Sequence, residues 1–300
     1  MGALNPVPNG TRERRRDRLS RILAALQQES KIYVSGSGAQ ADTLIASYNV
    51  HKCVGMDKRF DPDRIAAVIG EIGADVIALQ EADQRFGGRA GLMDLSRLER
   101  ECGLFPVPVT GTSKAHGWHG NLLLFREGTV RDVHRIRLPG VEPRGALVVD
   151  MELTAGPLRI VTTHLGLLRR SRAQQAEAIL TAVSTRGERP TLLLGDLNEW
   201  RLGARSSILN FDPAFGPLTV ALPSFPSRFP LFALDRILGN PPDLISGIEV
   251  HDTPLARIAS DHLPIKARID LEGASMPFAA ADGKMLPEGN GIQGPILEVG

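Results

Sequence analysis

The chain contains little cysteine and few aromatic residues. Its 300 residues include two cysteines, Cys53 and Cys102. Two are too few for a disulfide framework, and they lack the paired spacing of a structural zinc site. We interpret both as buried or inert thiols. Aromatic residues make up 5% of the chain, which argues against a single-strand nucleic-acid binder, because such proteins stack bases on aromatic rings.

The chain also lacks a large net charge and a long apolar run. Its formal charge of +1 gives no overall attraction to polyanions, so any grip on nucleic acid must come from local patches. No apolar run approaches the roughly 18 residues of a membrane span. The opening sequence, MGALNPVPNG followed by TRERRRDR, has no apolar core of the signal-peptide type. We therefore expect a cytoplasmic protein.

Composition divides the chain into three regions. Residues 1–40 form a basic extension in which apolar residues recur at helical spacing, at Leu19, Ile22, Leu23 and Leu26. Such a helix either packs on the domain or makes a peripheral contact with an anionic membrane or a phosphate. Residues 41–272 have the composition of one folded domain, which is expected to carry any activity. Residues 273–300 are rich in glycine and proline and predict a disordered tail.

Short apolar runs alternate with helical segments in the central region. Strands are predicted at TLIASYNV, DVIALQE, GNLLLFR, GALVVDMEL, LRIVTTHL, TLLLGD, LDRILG and LPIKARIDL. Helices are predicted at DPDRIAAVIGEIG, where Asp61 caps a start at Pro62, and at GLMDLSRLERE and RRSRAQQAEAILTAV. Several late strands follow one another without a helix. This order favours an α/β (α+β) fold, a four-layer sandwich of two packed mixed β-sheets flanked by helices.

Polar residues stand where the predicted strands end. In TLLLGDLNEW, Asp196 and Asn198 follow a buried strand, and residues two apart in an extended chain share a face. An isolated Asp-x-Asn pair is usually a turn. Other strand ends carry similar groups, however, at Asn49, Glu81, His164, Asp235, Asp261 and His262. The repetition indicates a site, and its carboxylate and amide oxygens are ligands that Mg²⁺ or Mn²⁺ prefers.

These motifs resemble a known family. ASYNVHK, ADVIALQEAD, HGNLLLF, TTHLG, LLLGDLNEW, LDRIL and SDHLP are similar, in this order, to motifs of the endonuclease/exonuclease/phosphatase superfamily, the deoxyribonuclease I-like fold. The resemblance covers Thr43 to Leu271. It is closest to small compact bacterial members with a FPxRxPxxxLDRI segment, here Phe225 to Ile237. That segment lies in a long Pro-rich stretch, which predicts a functional loop.

The resemblance implies a hydrolase that uses Mg²⁺ or Mn²⁺ to cleave a phosphoester, with a phosphodiester favoured. Glu81, with Asn49 beside it, would hold the metal, and Asp261 would be a further ligand or a nearby acid. The nuclease branch often has an acid where this chain has His51. Whether one metal or two are used therefore stays open.

The resemblance also implies roles in the reaction. Asp196 and Asn198 would orient and deprotonate the attacking water, and His262 would act on the phosphate as general acid or charge stabiliser. Asp235 would fix the tautomer of His262, and His164 would donate to the transition state. Phosphate binding is expected at three further positions, namely Asn121, Arg144 and His119.

Three classes of function stay open. The near-neutral charge favours a small-molecule phosphodiester or a phospholipid headgroup as substrate. The alternative enzyme is a DNA endonuclease or exonuclease, since duplex cutters read mainly the backbone. A noncatalytic membrane-associated adaptor, working through the basic N-terminal helix, is disfavoured because the acid, amide and imidazole residues at the strand ends are all present.

Overall fold

The structure, a computed structural model, describes residues 43–85, 88–110, 114–216 and 221–273. The predicted N-terminal helix and nearly all of the predicted tail lie outside these ranges, so the three-region division stays a prediction. Within the described ranges, no helix combines the length and the apolar character needed to cross a bilayer.

The described strands form two mixed sheets. The first contains β1 (Thr43–Asn49), β2 (Val76–Gln80), β3 (Phe105–Pro106), β4 (Leu122–Phe125), β10 (Ile245–Val250) and β11 (Ile265–Ile269). The second contains β5 (Thr129–Arg137), β6 (Gly145–Leu153), β7 (Gly156–His164), β8 (Thr191–Asp196) and β9 (Asp235–Asn240). The strand orders are β10-β11-β1-β2-β4-β3 and β5-β6-β7-β8-β9. The pairs β1/β2 and β7/β8 are parallel, and the other pairs are antiparallel.

Helices cover the outer faces of the sheets. They are α1 (Pro62–Ile72), α2 (Leu95–Cys102), α3 (Arg169–Ser184) and two short ones, α4 (Asp212–Phe215) and α5 (Ala256–Ala259). The predicted cap of α1 is confirmed, because the Asp61 side chain accepts a hydrogen bond from the Arg64 backbone N–H at 2.9 Å. Both cysteines are free, and burial raises the pKa of the Cys53 thiol to about 12, which makes that thiol inert.

Three apolar layers hold the four structural layers together. The middle layer joins the two sheets and includes Ile45, Val149 and Leu194. A second layer packs the first sheet on α1, α2 and α5, and a third packs the second sheet on α3 and α4. The central strands are buried on both faces, which explains their continuous apolar runs. The predicted four-layer α/β sandwich is confirmed.

Three strands were not predicted from the sequence: β3, β5 and β10. In β5 the apolar residues Val130, Val133 and Ile136 recur every third position rather than every second. A register shift between Val130 and Asp132 explains the first interval, since a bulge inserts an extra residue into the alternation. Ile136 packs on the opposite face of the sheet from Val133. β5 is also an edge strand, and most of its residues are exposed.

Gly195 allows β8 to lie against β7 just before Asp196. Its φ is +143°, and a Cβ built at this position would lie 1.8 Å from the carbonyl oxygen of Thr163. We expect Gly195→Ala to lower the free energy of unfolding by about 2–4 kcal/mol, through backbone strain and steric overlap. Urea denaturation measures this change. Gly187→Ala is the matched control, because a Cβ there would meet nothing within 4 Å; equal effects of the two changes would contradict the explanation.

Candidate active site

The strand ends meet at one edge of the two sheets. β1, β2, β7 and β8 run in parallel pairs and end there, whereas β9 begins there because it pairs antiparallel to β8. The register places His164 opposite Asp196, and Asp196 opposite Asp235. Asn49 pairs with Gln80, the residue before Glu81. The sheet topology thus gathers residues that are distant in sequence.

Asp196 lies at the centre of this cluster. It is 2% exposed. One carboxylate oxygen, Oδ1, accepts the backbone N–H of Asn198 at 3.0 Å, and the other accepts Nδ2 of Asn49 at 3.0 Å. Burial, with a further contribution from the negative charge of Asp235, raises the pKa of Asp196 to about 6. Asp196 is therefore ionised at neutral pH, although burial disfavours its charged form.

His262 and Asp235 form a hydrogen-bonded pair. Nδ1 of His262 lies 2.8 Å from Oδ2 of Asp235, which Ser224 also contacts. Burial opposes the charged ring, but the carboxylates of Asp235 and Asp196 outweigh it and raise the pKa of His262 to about 10. Nε2 of His262 lies 3.7 Å from Oδ2 of Asp196. At neutral pH His262 is thus a buried cation with a proton on the nitrogen that faces Asp196.

His164 lies between two acids and is held neutral. Its Nε2 is 3.3 Å from Oδ2 of Asp196, and its Nδ1 is 3.9 Å from Oε1 of Glu81. Burial, together with the nearby charge of Arg144, keeps the pKa of His164 well below its usual range. A neutral ring has one N–H to donate.

Glu81 provides a half-buried acid of the cluster. Its Oε2 accepts a hydrogen bond from the Lys52 ammonium at 2.6 Å. Lys52 was not predicted as a site residue, although it stands inside the ASYNVHK motif. The Oδ1 atom of Asn49 accepts the backbone N–H of His51, and Asp261 lies 3.7 Å from the ring of His51. Asp261 is therefore placed beside His51.

The donor set fits a hard divalent cation. Carboxylate and amide oxygens of Glu81, Asn49 and Asp196 face one edge, and such oxygens suit Mg²⁺ or Mn²⁺. The Lys52 ammonium beside Glu81 shows that this position attracts positive charge. Among the described residues, the potential ligand atoms that group most tightly belong to Asp196, Asp235 and His262, within 4.8 Å of one another. Within this trio His262 and Asp235 are hydrogen-bonded to each other, whereas Glu81 is paired with Lys52.

A cationic cleft extends from Glu81 and His164. Its lining residues are Lys52, Glu81, Asp83, Arg85, Arg89, His119, Gly120, Pro143, Arg144 and His164. Arg144 and His119 are thus brought to the site, where Arg144 is paired with Glu142 at 2.8 Å and Nδ1 of His119 lies 2.8 Å from the Pro143 carbonyl oxygen. The sequence reasoning missed Arg85 and Arg89, although both follow the strand that ends at Glu81.

The structure corrects the role expected for Asn121. This residue is fully buried, and its Nδ2 donates to the carbonyl oxygens of Trp118 and Gly145, at 3.1 and 3.0 Å. Both of its N–H donors are used within the fold, so they are not available to a phosphate. Asn121 instead anchors the loop that carries His119.

Left-handed backbone conformations cluster at this edge. Glu81, Asn198, His119 and His51 have φ values of 56°, 51°, 50° and 46°. Such conformations cost non-glycine residues free energy and tend to occur where function demands a particular side-chain direction. The amide of Asn198 is in addition fixed by a 2.9 Å hydrogen bond to the Leu165 carbonyl oxygen.

The four-layer fold, with acids, amides and imidazoles gathered at one sheet edge, places the protein in the deoxyribonuclease I-like class. Residues 46–262 match the model of the endonuclease/exonuclease/phosphatase family, and the chain belongs to that family. Endonucleases, exonucleases and phosphatases all cleave phosphoester bonds with water, so the family places the protein among the phosphoester hydrolases.

Solved structures show the same fold. An endonuclease/exonuclease/phosphatase from Beutenbergia cavernae has a TM-score of 0.57 at 22% identity, over 77% of this chain and 72% of that chain. A D. rerio TDP2 complexed with single-strand DNA product has a TM-score of 0.55 at 16% identity, over 76% of this chain and 98% of that chain. A mannosyl-6-phosphatase from Bacteroides thetaiotaomicron has a TM-score of 0.55 at 16% identity, over 75% of this chain and 98% of that chain. At these identities the likeness shows the fold alone. No curated protein sequence matches the chain.

Proposed function

We propose that this protein is a Mg²⁺-dependent phosphodiesterase in which Asp196 activates water for in-line attack on phosphorus. The observation that carries the proposal is the proximity of Asp196 and His262, in which Oδ2 of the acid lies 3.7 Å from Nε2 of the imidazole. The pKa of Asp196 is raised to about 6 and that of His262 to about 10. An ionised carboxylate beside a protonated imidazole supplies a base and an acid in one pocket.

The roles of the other residues follow from their contacts. Asn49 and Asn198 hold the Asp196 carboxylate through the two 3.0 Å hydrogen bonds. Asp235 keeps the Nδ1 proton of His262 and leaves Nε2 to face the phosphate and the leaving oxygen. His164 can donate its N–H to a phosphate oxygen. Arg144 and Lys52, from the cleft wall, supply charge for binding the phosphate, and His119 lines the same wall as a neutral ring, because burial lowers its pKa.

Glu81 and Asn49 would hold the metal, with Asp261 as a further acid at the edge of the site. A bound divalent cation neutralises phosphate charge and steadies the leaving oxygen. The Lys52 ammonium lies 2.6 Å from Oε2 of Glu81, where it would compete with a cation for the carboxylate. Metal binding would therefore require the Lys52 ammonium to move away from the carboxylate.

Glu81→Gln tests this assignment. The amide keeps the shape of the side chain but loses the negative charge that attracts a cation. We expect the Mg²⁺ concentration for half-maximal activity to rise by about 10–100-fold, with kcat largely restored at saturating metal. Metal titration of the steady-state rate measures the change. Glu99→Gln, an exposed position on α2, is the control; an unchanged Mg²⁺ requirement in Glu81→Gln would remove Glu81 from the metal site.

The pH dependence tests the His262–Asp235 pair. A protonated His262 is required in the proposal, so activity should fall as pH rises through about 10. Asp235 is the main group that raises this pKa, and Asp235→Asn should therefore move the alkaline limb down by at least about one pH unit, toward the ordinary histidine range. A pH–rate profile checks this shift. The exposed Asp132, changed to Asn, should leave the limb in place.

The central experiment compares substrates. The purified full-length chain is incubated with bis(p-nitrophenyl) phosphate, p-nitrophenyl phosphate and plasmid DNA, in Mg²⁺, in Mn²⁺ and in EDTA. We expect turnover of the soluble diester in metal and none in EDTA. Faster turnover of the monoester would redirect the proposal toward a phosphatase, and plasmid nicking with steep salt inhibition would favour the DNA nuclease. Diester hydrolysis that persists in EDTA would contradict the metal requirement.

A further inference from the structure

Exposed apolar side chains are concentrated beside the candidate active site. Of the twelve large hydrophobic residues exposed in the described part of the chain, seven lie in three loops, at residues 165–170, 197–205 and 225–234. They are Leu167, Leu168, Trp200, Leu202, Phe229, Leu231 and Phe232, called here the apolar rim. The most exposed are Leu167 at 64% and Phe229 at 58%. A concentration of exposed apolar side chains of this kind marks an interaction surface.

Hydrogen bonds join the three loops into one surface. The backbone N–H of Leu165 donates to the carbonyl oxygen of Asp196, and that of Leu197 donates to Leu234, both at 2.9 Å. The rings of Trp200 and Phe232 lie 5.8 Å apart in an edge-to-face contact. The first two loops directly follow His164 and Asp196. The apolar rim is therefore tied to the strand ends that carry the site.

The third loop also reaches the site itself. The ring centroid of Phe225 lies 4.9 Å from that of His262, and Phe225 pairs through its backbone with Phe232. A molecule resting on the apolar rim would thus be next to the groups that act on the phosphate.

The exposed charged residues of the three loops are all basic. Arg169, Arg170, Arg205 and Arg228 are exposed, and none has an ion partner among the described residues. The single acid in these loops, Glu199, is 1% exposed and is paired with Arg172. The three loops of the apolar rim therefore carry exposed positive charge and no exposed negative charge.

Exposed apolar side chains together with exposed arginines favour a lipid surface over duplex DNA as the partner. Duplex DNA is bound mainly through cationic and polar contacts to its phosphates, and exposed leucine and phenylalanine add nothing to those contacts. An anionic phospholipid surface interacts favourably with both kinds of side chain, because apolar side chains enter the acyl boundary and arginines attract the negative headgroups. We propose that the apolar rim and its arginines bind the surface of an anionic phospholipid bilayer and present the phosphodiester of a lipid headgroup to the candidate active site.

The lipid-substrate part rests on the proposed phosphodiesterase function, whereas the binding surface does not. The test uses the full-length chain and two sets of sucrose-loaded vesicles, pure phosphatidylcholine and phosphatidylcholine with phosphatidylglycerol. Sedimentation should show stronger binding to the anionic vesicles. The double variant Leu167→Ser/Phe229→Ser should weaken that binding at least about tenfold. Arg228→Gln should weaken it about fivefold.

Phe105→Ser is the matched control. Phe105 is 42% exposed but pairs with Phe125, at the end of β4 away from the site. This variant should bind anionic vesicles like the wild-type chain. Equal loss in the control and in the double variant would overturn the proposal. So would full binding by the double variant, which would place the membrane contact elsewhere, such as the basic N-terminal sequence. Sedimentation without vesicles shows whether the rim instead joins two copies of the chain, a result that would also overturn it.

Two activity measurements separate this inference from the proposed function. The double variant should keep its turnover of soluble bis(p-nitrophenyl) phosphate but lose at least about tenfold in turnover of phosphatidylglycerol in vesicles. If the wild-type chain hydrolyses the soluble diester but does not bind vesicles, the surface is wrong and the proposed function stands. If rim-dependent binding occurs without hydrolysis of any phosphodiester, the surface stands and the proposed function fails.

Discussion

Asp196→Asn is expected to reduce kcat for phosphodiester hydrolysis at least about 100-fold, the scale on which general bases act. The amide keeps the size of the side chain but cannot take a proton from water. Asp196 suits the role because burial raises its pKa to about 6, close to the pH at which the enzyme would work. The loss should appear in kcat rather than in KM, since water activation matters in the transition state.

The control for this change is Asp132→Asn, which removes an exposed acid from the edge strand β5 of the same sheet. It should leave kcat unchanged. Thermal unfolding of both variants shows whether the fold is retained. If Asp196→Asn keeps more than about a third of the wild-type kcat, Asp196 is not the general base.

His262→Gln is expected to lower kcat by at least about 100-fold for substrates with poor leaving groups. The change removes the cation that Asp235 and Asp196 stabilise. If His262 donates a proton to the leaving oxygen, the loss should be smaller for bis(p-nitrophenyl) phosphate than for an alkyl phosphodiester, because nitrophenolate leaves without protonation.

Equal losses with both leaving groups would mean that His262 stabilises charge without transferring a proton. His134→Gln provides the comparison, because His134 is exposed on β5 and its side chain has no part in the site. A wild-type rate in His262→Gln with both substrates would remove His262 from the reaction.

The central part of the fold could be predicted from sequence because burial leaves a strong pattern. β1, β2 and β8 are buried on both faces, and their apolar runs were correctly predicted as strands. β5 was missed because it lies at an edge, where exposed polar residues and a bulge break the alternation. The sequence signal thus weakens where a strand has only one neighbour.

The candidate site shows the same division. Asp196, His262 and Asp235 could be predicted because each stands at a strand end and within a motif of the resembled family. Lys52 and Arg89 could not be selected in this way, since nothing in their residue type separates them from other surface cations. Only the folded chain shows that both line the cleft beside Glu81.

The sequence by itself determined eight of the eleven described strands, the polar residues that end them and the family to which the chain belongs, because these depend on local pattern and on the order of motifs. The tertiary structure decided which groups touch. In the folded chain, Nδ2 of Asn121 donates hydrogen bonds to backbone carbonyl oxygens, and Lys52 forms an ion pair with Glu81. Backbone hydrogen bonds connect the three loops that carry the apolar rim. Such contacts depend on strand register and loop direction, which bring together residues far apart in sequence, such as Asn49 and Asp196, 147 positions apart.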